Sequence, residues 1–82
     1  MDELKVTKDL REEVLKHCDS FDYCGRNLAY FSSKNKRNIT FAIAAVLRAN
    51  PVFVVSVIET TKGEDSKLET TVQFTQVGFT GG

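Results

Sequence analysis

At Asn50-Pro51 the hydrophobic pattern of the chain changes period. Before it, apolar residues fall at 39, 42, 43, 46 and 47, which is the spacing of one helical face. Alanines at 42, 44 and 45 favour helix, and the residue before a proline is pushed out of the helical region. After it, residues 52–58, VFVVSVI, are mostly β-branched and apolar at nearly every position. That is the pattern of a strand buried on both faces, so a central one. The two segments predict a helix over 39–49, capped by Asn38, running straight into a strand. The β-branched residues Ile39, Thr40, Ile43 and Val46 leave a strand over 39–47 as the alternative.

The rest of the chain is organised around that junction. Residues 3–7, ELKVT, alternate and suit a short edge strand. Asp9 stands at an N-cap position with Glu12 three residues on, and Leu10, Val14 and Cys18 then form an apolar stripe. Residues 19–25 break the pattern, and LAYFS at 28–32 suits a buried strand. After VFVVSVI comes a polar turn, TTKGEDSK. LETTVQFTQV at 68–77 then alternates and pairs back as a β-hairpin. These elements predict an α+β fold: a small single-domain β-α-β-α-β-β sandwich over 1–82, with two helices on one face of a mixed four-stranded sheet. The GFTGG tail at 78–82 is expected to fray.

Order and pattern together resemble the Alba family of small chromatin and RNA-binding proteins. LKVTKD followed by LREEVLKHC is similar to that family's first strand, lysine-bearing loop and first helix. Lys8 falls where the family places a basic residue. RNITFAIAAVLRAN is similar to its second helix, with Ile39, Ala42 and Ile43 at the apolar positions, and KLETTVQFTQV to its final hairpin strand. The loop before the second helix lacks the family's glycine. The resemblance implies an Alba-like fold and binding of RNA or DNA.

Charge is the other organised feature. Eleven basic and eleven acidic residues cancel. Yet residues 23–58 carry Arg26, Lys34, Lys36, Arg37 and Arg48 with no acid, between flanks of net −3 and −2. A basic island of this kind bears on partners rather than on fold. Within it, SSKNKRNIT places Lys34, Lys36 and Arg37 just before a helix, where unsatisfied backbone N–H groups favour anions. Ser32, Ser33 and Asn35 add side chains of the type that contact phosphate. Lys8, Lys34, Lys36 and Arg37 are therefore the candidate residues for gripping a nucleic-acid backbone.

Catalytic constellations are absent, and the chain is expected not to be an enzyme. His17 is the single histidine, and Gly25 and Gly63 are isolated rather than part of a phosphate loop. His17, Cys18 and Cys24 offer at most three ligands without zinc-site spacing, so no metal and no cofactor are expected, and the two cysteines are expected to be reduced thiols. No apolar run approaches the ~18 residues of a membrane span, and no leader opens the chain. The expected location is the cytoplasm, or the nucleus or nucleoid for a nucleic-acid binder, with no membrane partner. The alternative function is a non-enzymatic protein-interaction module on the same scaffold, such as a small regulator or inhibitor. Phe41 lies off the helical stripe and is its candidate interface residue. A core this small also favours a homodimer.

Overall fold

The structure is a computed structural model that describes residues 4–24, 27–62 and 66–76. Six elements follow one another: α1 (Lys8–Leu15), β1 (Ser20–Tyr23), β2 (Leu28–Ser33), α2 (Lys36–Ala49), β3 (Phe53–Lys62) and β4 (Leu68–Gln76). The fold is α+β, with two helices and a four-stranded sheet. The order is α-β-β-α-β-β, which departs from the expected β-α-β-α-β-β and from the arrangement that the Alba resemblance implied. The sheet runs β1-β2-β4-β3 and every neighbouring pair is antiparallel, so the expected mixed sheet is corrected.

Both departures have the same cause. Residues 4–7 alternate, but they join no ladder. Their backbone is held instead by two asparagine side chains. The Leu4 N–H donates to Asn27 Oδ1 at 3.0 Å, and the Lys5 N–H donates to Asn50 Oδ1 at 2.8 Å. The first strand is Ser20–Tyr23, which doubles back on β2 as a hairpin: Ser20 faces Ser32 and Phe21 faces Phe31. Two strands joined by so short a connection pair antiparallel.

The helices start where short polar side chains replace missing backbone partners. Thr7, not Asp9, caps α1: its Oγ1 accepts from the Leu10 N–H at 3.1 Å. Asn35, not Asn38, caps α2, accepting from the Arg37 N–H at 2.8 Å. The Ser33 hydroxyl oxygen accepts from the Asn35 N–H at 3.2 Å and so fixes that turn. α2 therefore starts three residues earlier than the spacing predicts. It stops at Asn50, as the Asn50-Pro51 signal requires.

One apolar cluster joins Leu10 and Val14 of α1, Ile39, Ala42, Ile43 and Val46 of α2, and Phe21, Ala29, Phe31, Phe53, Val72 and Phe74 of the sheet. Both helices thus cover one face of the sheet. The two helices run in opposite directions across it. Cys18, just past the end of α1, lies 3.9 Å from the carbonyl of Asn38 near the start of α2, while Lys5 meets Asn50 at its end. Among the described residues no helix is long and apolar enough to cross a membrane.

The expected hairpin of β3 with β4 forms, but its roles are exchanged. β4 is central, and β3 is an edge strand with Val54, Val57 and Ile58 about half exposed. Ile58 is an extra residue without a partner in β4: Val57 faces Val72 and Glu59 faces Thr71. Such a bulge bends the strand and raises its twist. The tail at 78–82 lies outside the described residues.

Asn50 holds the ends of the helical layer together. It is 4% exposed. Its Nδ2 donates to Val46 O at 2.9 Å and to Lys5 O at 3.3 Å, while Oδ1 accepts from Lys5. Asn50→Ala removes three hydrogen bonds from a buried site, each worth about 1 kcal/mol. Urea unfolding of that variant should show a loss of about 2–4 kcal/mol, and amide exchange at Lys5 should accelerate more than exchange in β4.

Candidate functional site

β2 ends at Ser33, and the chain turns through Lys34 and Asn35 into the first turn of α2. Lys34, Lys36 and Arg37 are all exposed there. Lys36 and Arg37 occupy the first two helical positions, and the first turn holds no acid. Cations at a helix N-terminus oppose the macrodipole, by about 0.3–1 kcal/mol each. None of the three makes an ion pair among the described residues, where the ion pairs are His17 with Glu13 and Lys67 with Asp19. Their placement thus works against helix stability and is offset by no ion pair among the described residues.

The polar side chains expected to help them have other duties. Ser32 is buried and its hydroxyl lies 2.6 Å from that of Ser20. Ser33 is buried and fixes the cap, and Asn35 is the cap itself. Lys8 is not part of this cluster. It is the first residue of α1, three residues from the Lys5 that meets the far end of α2. α2 has 14 residues and spans about 21 Å, so Lys8 stands roughly that far from Arg37.

Two other lysines replace it. The pairing register sets Ser33 opposite Leu68 and Leu68 opposite Lys62, one row across β2, β4 and β3. Neighbouring strands lie about 4.8 Å apart, so the Lys62 backbone is about 10 Å from Ser33. Lys67 immediately precedes Leu68 and reaches Asp19 at 3.9 Å. Lys34, Lys36, Arg37, Lys62 and Lys67 therefore share one end of the molecule, with Asp19 as a carboxylate among them. Glu64 and Asp65, next in sequence to Lys62, lie outside the described residues, as does Arg26. Lys62 and Lys67 carry no signal in local sequence, because only the register of the closed sheet aligns their hairpin with the end of β2.

The sheet face opposite the helices holds a shallow cleft of about 270 Å³, lined by Asp22, Tyr30, Glu59, Thr61, Glu69 and Thr71 among others. It is acidic and does not extend the basic end. Tyr30 points to this side and Phe31 to the core, so only one of the two aromatics before the basic loop is accessible. Phe41 is 50% exposed, as its place off the stripe predicts, and its ring centroid lies 5.7 Å from that of His17. The two rings belong to a second shallow depression of about 210 Å³, between Glu13 and Arg48 on the outer side of the helices.

Cys18 and Cys24 are both free, the first buried and the second exposed. Burial, and then the neighbouring Asp19 carboxylate, push the Cys18 thiol up from 9.0 to about 11. Cys18 is buried and packs within the apolar cluster, so it belongs to the core. No known protein family, curated protein or solved structure matches this chain in comparison.

Two outcomes follow from these placements. Lys36→Glu reverses a charge at the first position of α2 and should raise stability by about 0.5–1 kcal/mol, read from the urea midpoint at low salt. Cys18 ionises more readily in the unfolded chain than in the folded one. Its contribution is intact below pH 9.0 and is lost as pH rises toward about 11. Over that window the stability of Cys18→Ala should fall less steeply than that of the unaltered protein.

Proposed function

We propose that the protein is a small nucleic-acid-binding module that grips a sugar–phosphate backbone with Lys34, Lys36 and Arg37. The observation that carries this reading is the placement of Lys36 and Arg37 in the first turn of α2, where they weaken the helix they begin. A local conflict of this kind is expected where a contact matters more than stability. An incoming phosphate reverses the conflict, since it meets the cations and the helix N-terminus together. Lys62 extends the same end, and Lys67 does so when Asp19 releases it.

The chemistry is that of charge and shape. Phosphate contacts position a protein without reading bases, so RNA and DNA of any sequence are the partner class, with no catalytic step and no cofactor. The acidic flanks act weakly on the cluster at physiological salt, where screening sets in over about 8 Å. In a cell this places the protein in the cytoplasm, or in the nucleus or nucleoid.

A specific observation favours a second reading, a protein-interaction module. Phe41, Val54, Val57 and Ile58 are each about half exposed, and the last three gather along the one edge strand β3.

Fluorescence anisotropy with labelled single- and double-stranded DNA and RNA at 50 and 200 mM salt separates the two readings. Binding should be weak, indifferent to sequence and dependent on salt, with log K falling against log salt at a slope of about −3. Replacing Lys34, Lys36 and Arg37 together by Ala should abolish most of that slope and leave the circular dichroism unchanged, while Lys8→Ala should alter binding little. No binding at 50 mM salt would sink the nucleic-acid reading and leave the protein-interaction module.

A further inference from the structure

The edge of the sheet formed by β3 is long, and among the described residues no strand covers it. Edge strands present a row of unpaired N–H and C=O groups, and proteins blunt them with charge, proline, bulges or shortness. The opposite edge, β1, is four residues long and carries Asp22. β3 is ten residues long. Its protective features, the Ile58 bulge, Glu59 and Lys62, all lie in its second half. From Phe53 to Val57 the strand has no charge, proline, glycine or bulge. Val54 and Val57 are 49% and 55% exposed, on opposite faces of the sheet at the same edge.

The pattern of this edge identifies its occupant. Residues 54–58 read Val-Val-Ser-Val-Ile, a sequence that is nearly the same in both directions about Ser56. An antiparallel strand of identical sequence, related by a two-fold axis at Ser56, sets Val55 opposite Val57 and brings Val54 to the bulge at Ile58, where the regular ladder ends. The Val55–Val57 pair is apolar, lies on one face of the sheet and occurs twice about the axis. Cross-strand pairs of β-branched residues stabilise a ladder, and self-complementarity is the requirement of a two-fold interface. The chain has no net charge, so no long-range repulsion opposes the approach of a second copy. A foreign peptide explains the exposed edge equally well, but not its symmetry.

We infer that two copies pair through their β3 strands about a two-fold axis at Ser56, forming a continuous eight-stranded sheet with all four helices on one face. The inference stands independently of nucleic-acid binding. In the pair the strands run in opposite directions, so the two basic ends point away from each other. Six residues separate Ser56 from Lys62, and at about 3.4 Å per residue the two Lys62 positions lie roughly 40 Å apart along the strand direction.

Sedimentation between 10 and 300 µM, with site-directed cross-linking, tests this pairing. The unaltered protein should show a reversible monomer–dimer equilibrium. Val57→Lys and Val54→Lys each place a charge on one face of the exposed edge and should weaken the dimer at least tenfold. With the exposed thiol removed by Cys24→Ser, Ser56→Cys should oxidise to a covalent dimer, because residues facing each other at the axis have Cβ atoms about 5 Å apart. Thr61→Cys in the same background should stay monomeric under oxidant. A monomer throughout the concentration range overturns the inference. So does a dimer indifferent to both lysine substitutions, or one that cross-links at Thr61 and not at Ser56.

Discussion

β4 enters the sheet between β2 and β3, and the rest of the molecule depends on that insertion. β2 has β1 on one side and β4 on the other, while among the described residues β3 has no strand neighbour except β4. Thr70, Val72 and Phe74 of this strand are buried beneath the helices. The same backbone thus ties together two segments separated by the whole of α2. It also sets the row Ser33, Leu68, Lys62, and with it the composition of the basic end. A shift of one residue in β4 would turn Val72 and Phe74 to solvent and break up that row at the same time.

Elements defined by their own residues were legible in the sequence. The body of α2 and its stop at Asn50 follow from apolar spacing and proline chemistry, and the β3–β4 hairpin follows from two apolar runs around a polar turn. What escaped was decided at a distance. Residues 4–7 have the alternation of a strand, yet Asn27 and Asn50, far along the chain, take their backbone hydrogen bonds. β1 is only Ser-Phe-Asp-Tyr, too short for periodicity to identify. VFVVSVI has the composition of a central strand and occupies an edge, because composition cannot say which of two hairpin strands will be inserted beside β2.

The candidate site divides along the same line. Lys34, Lys36 and Arg37 are neighbours in sequence and remain neighbours in the fold. Lys8 was associated with them by resemblance alone, and the opposed directions of α1 and α2 put it at the other end of the helical layer. Lys62 and Lys67 are distant in sequence and become neighbours only through register. The cap belongs to this account too. Asn35 and Asn38 are both chemically competent, and the Ser33 hydroxyl settles the choice by fixing the turn at Asn35. That choice draws Lys36 and Arg37 into the helix and turns two loop cations into two cations at a positive helix end.

The position of β4 in the chain also sets a schedule. Every residue of β3 precedes every residue of β4, so a growing polypeptide carries β3 for a time with no partner at all. Until β4 docks, both edges of a Val-rich strand are open rather than one, so the step that seats β4 is also the step that closes one of the two pairing edges of β3.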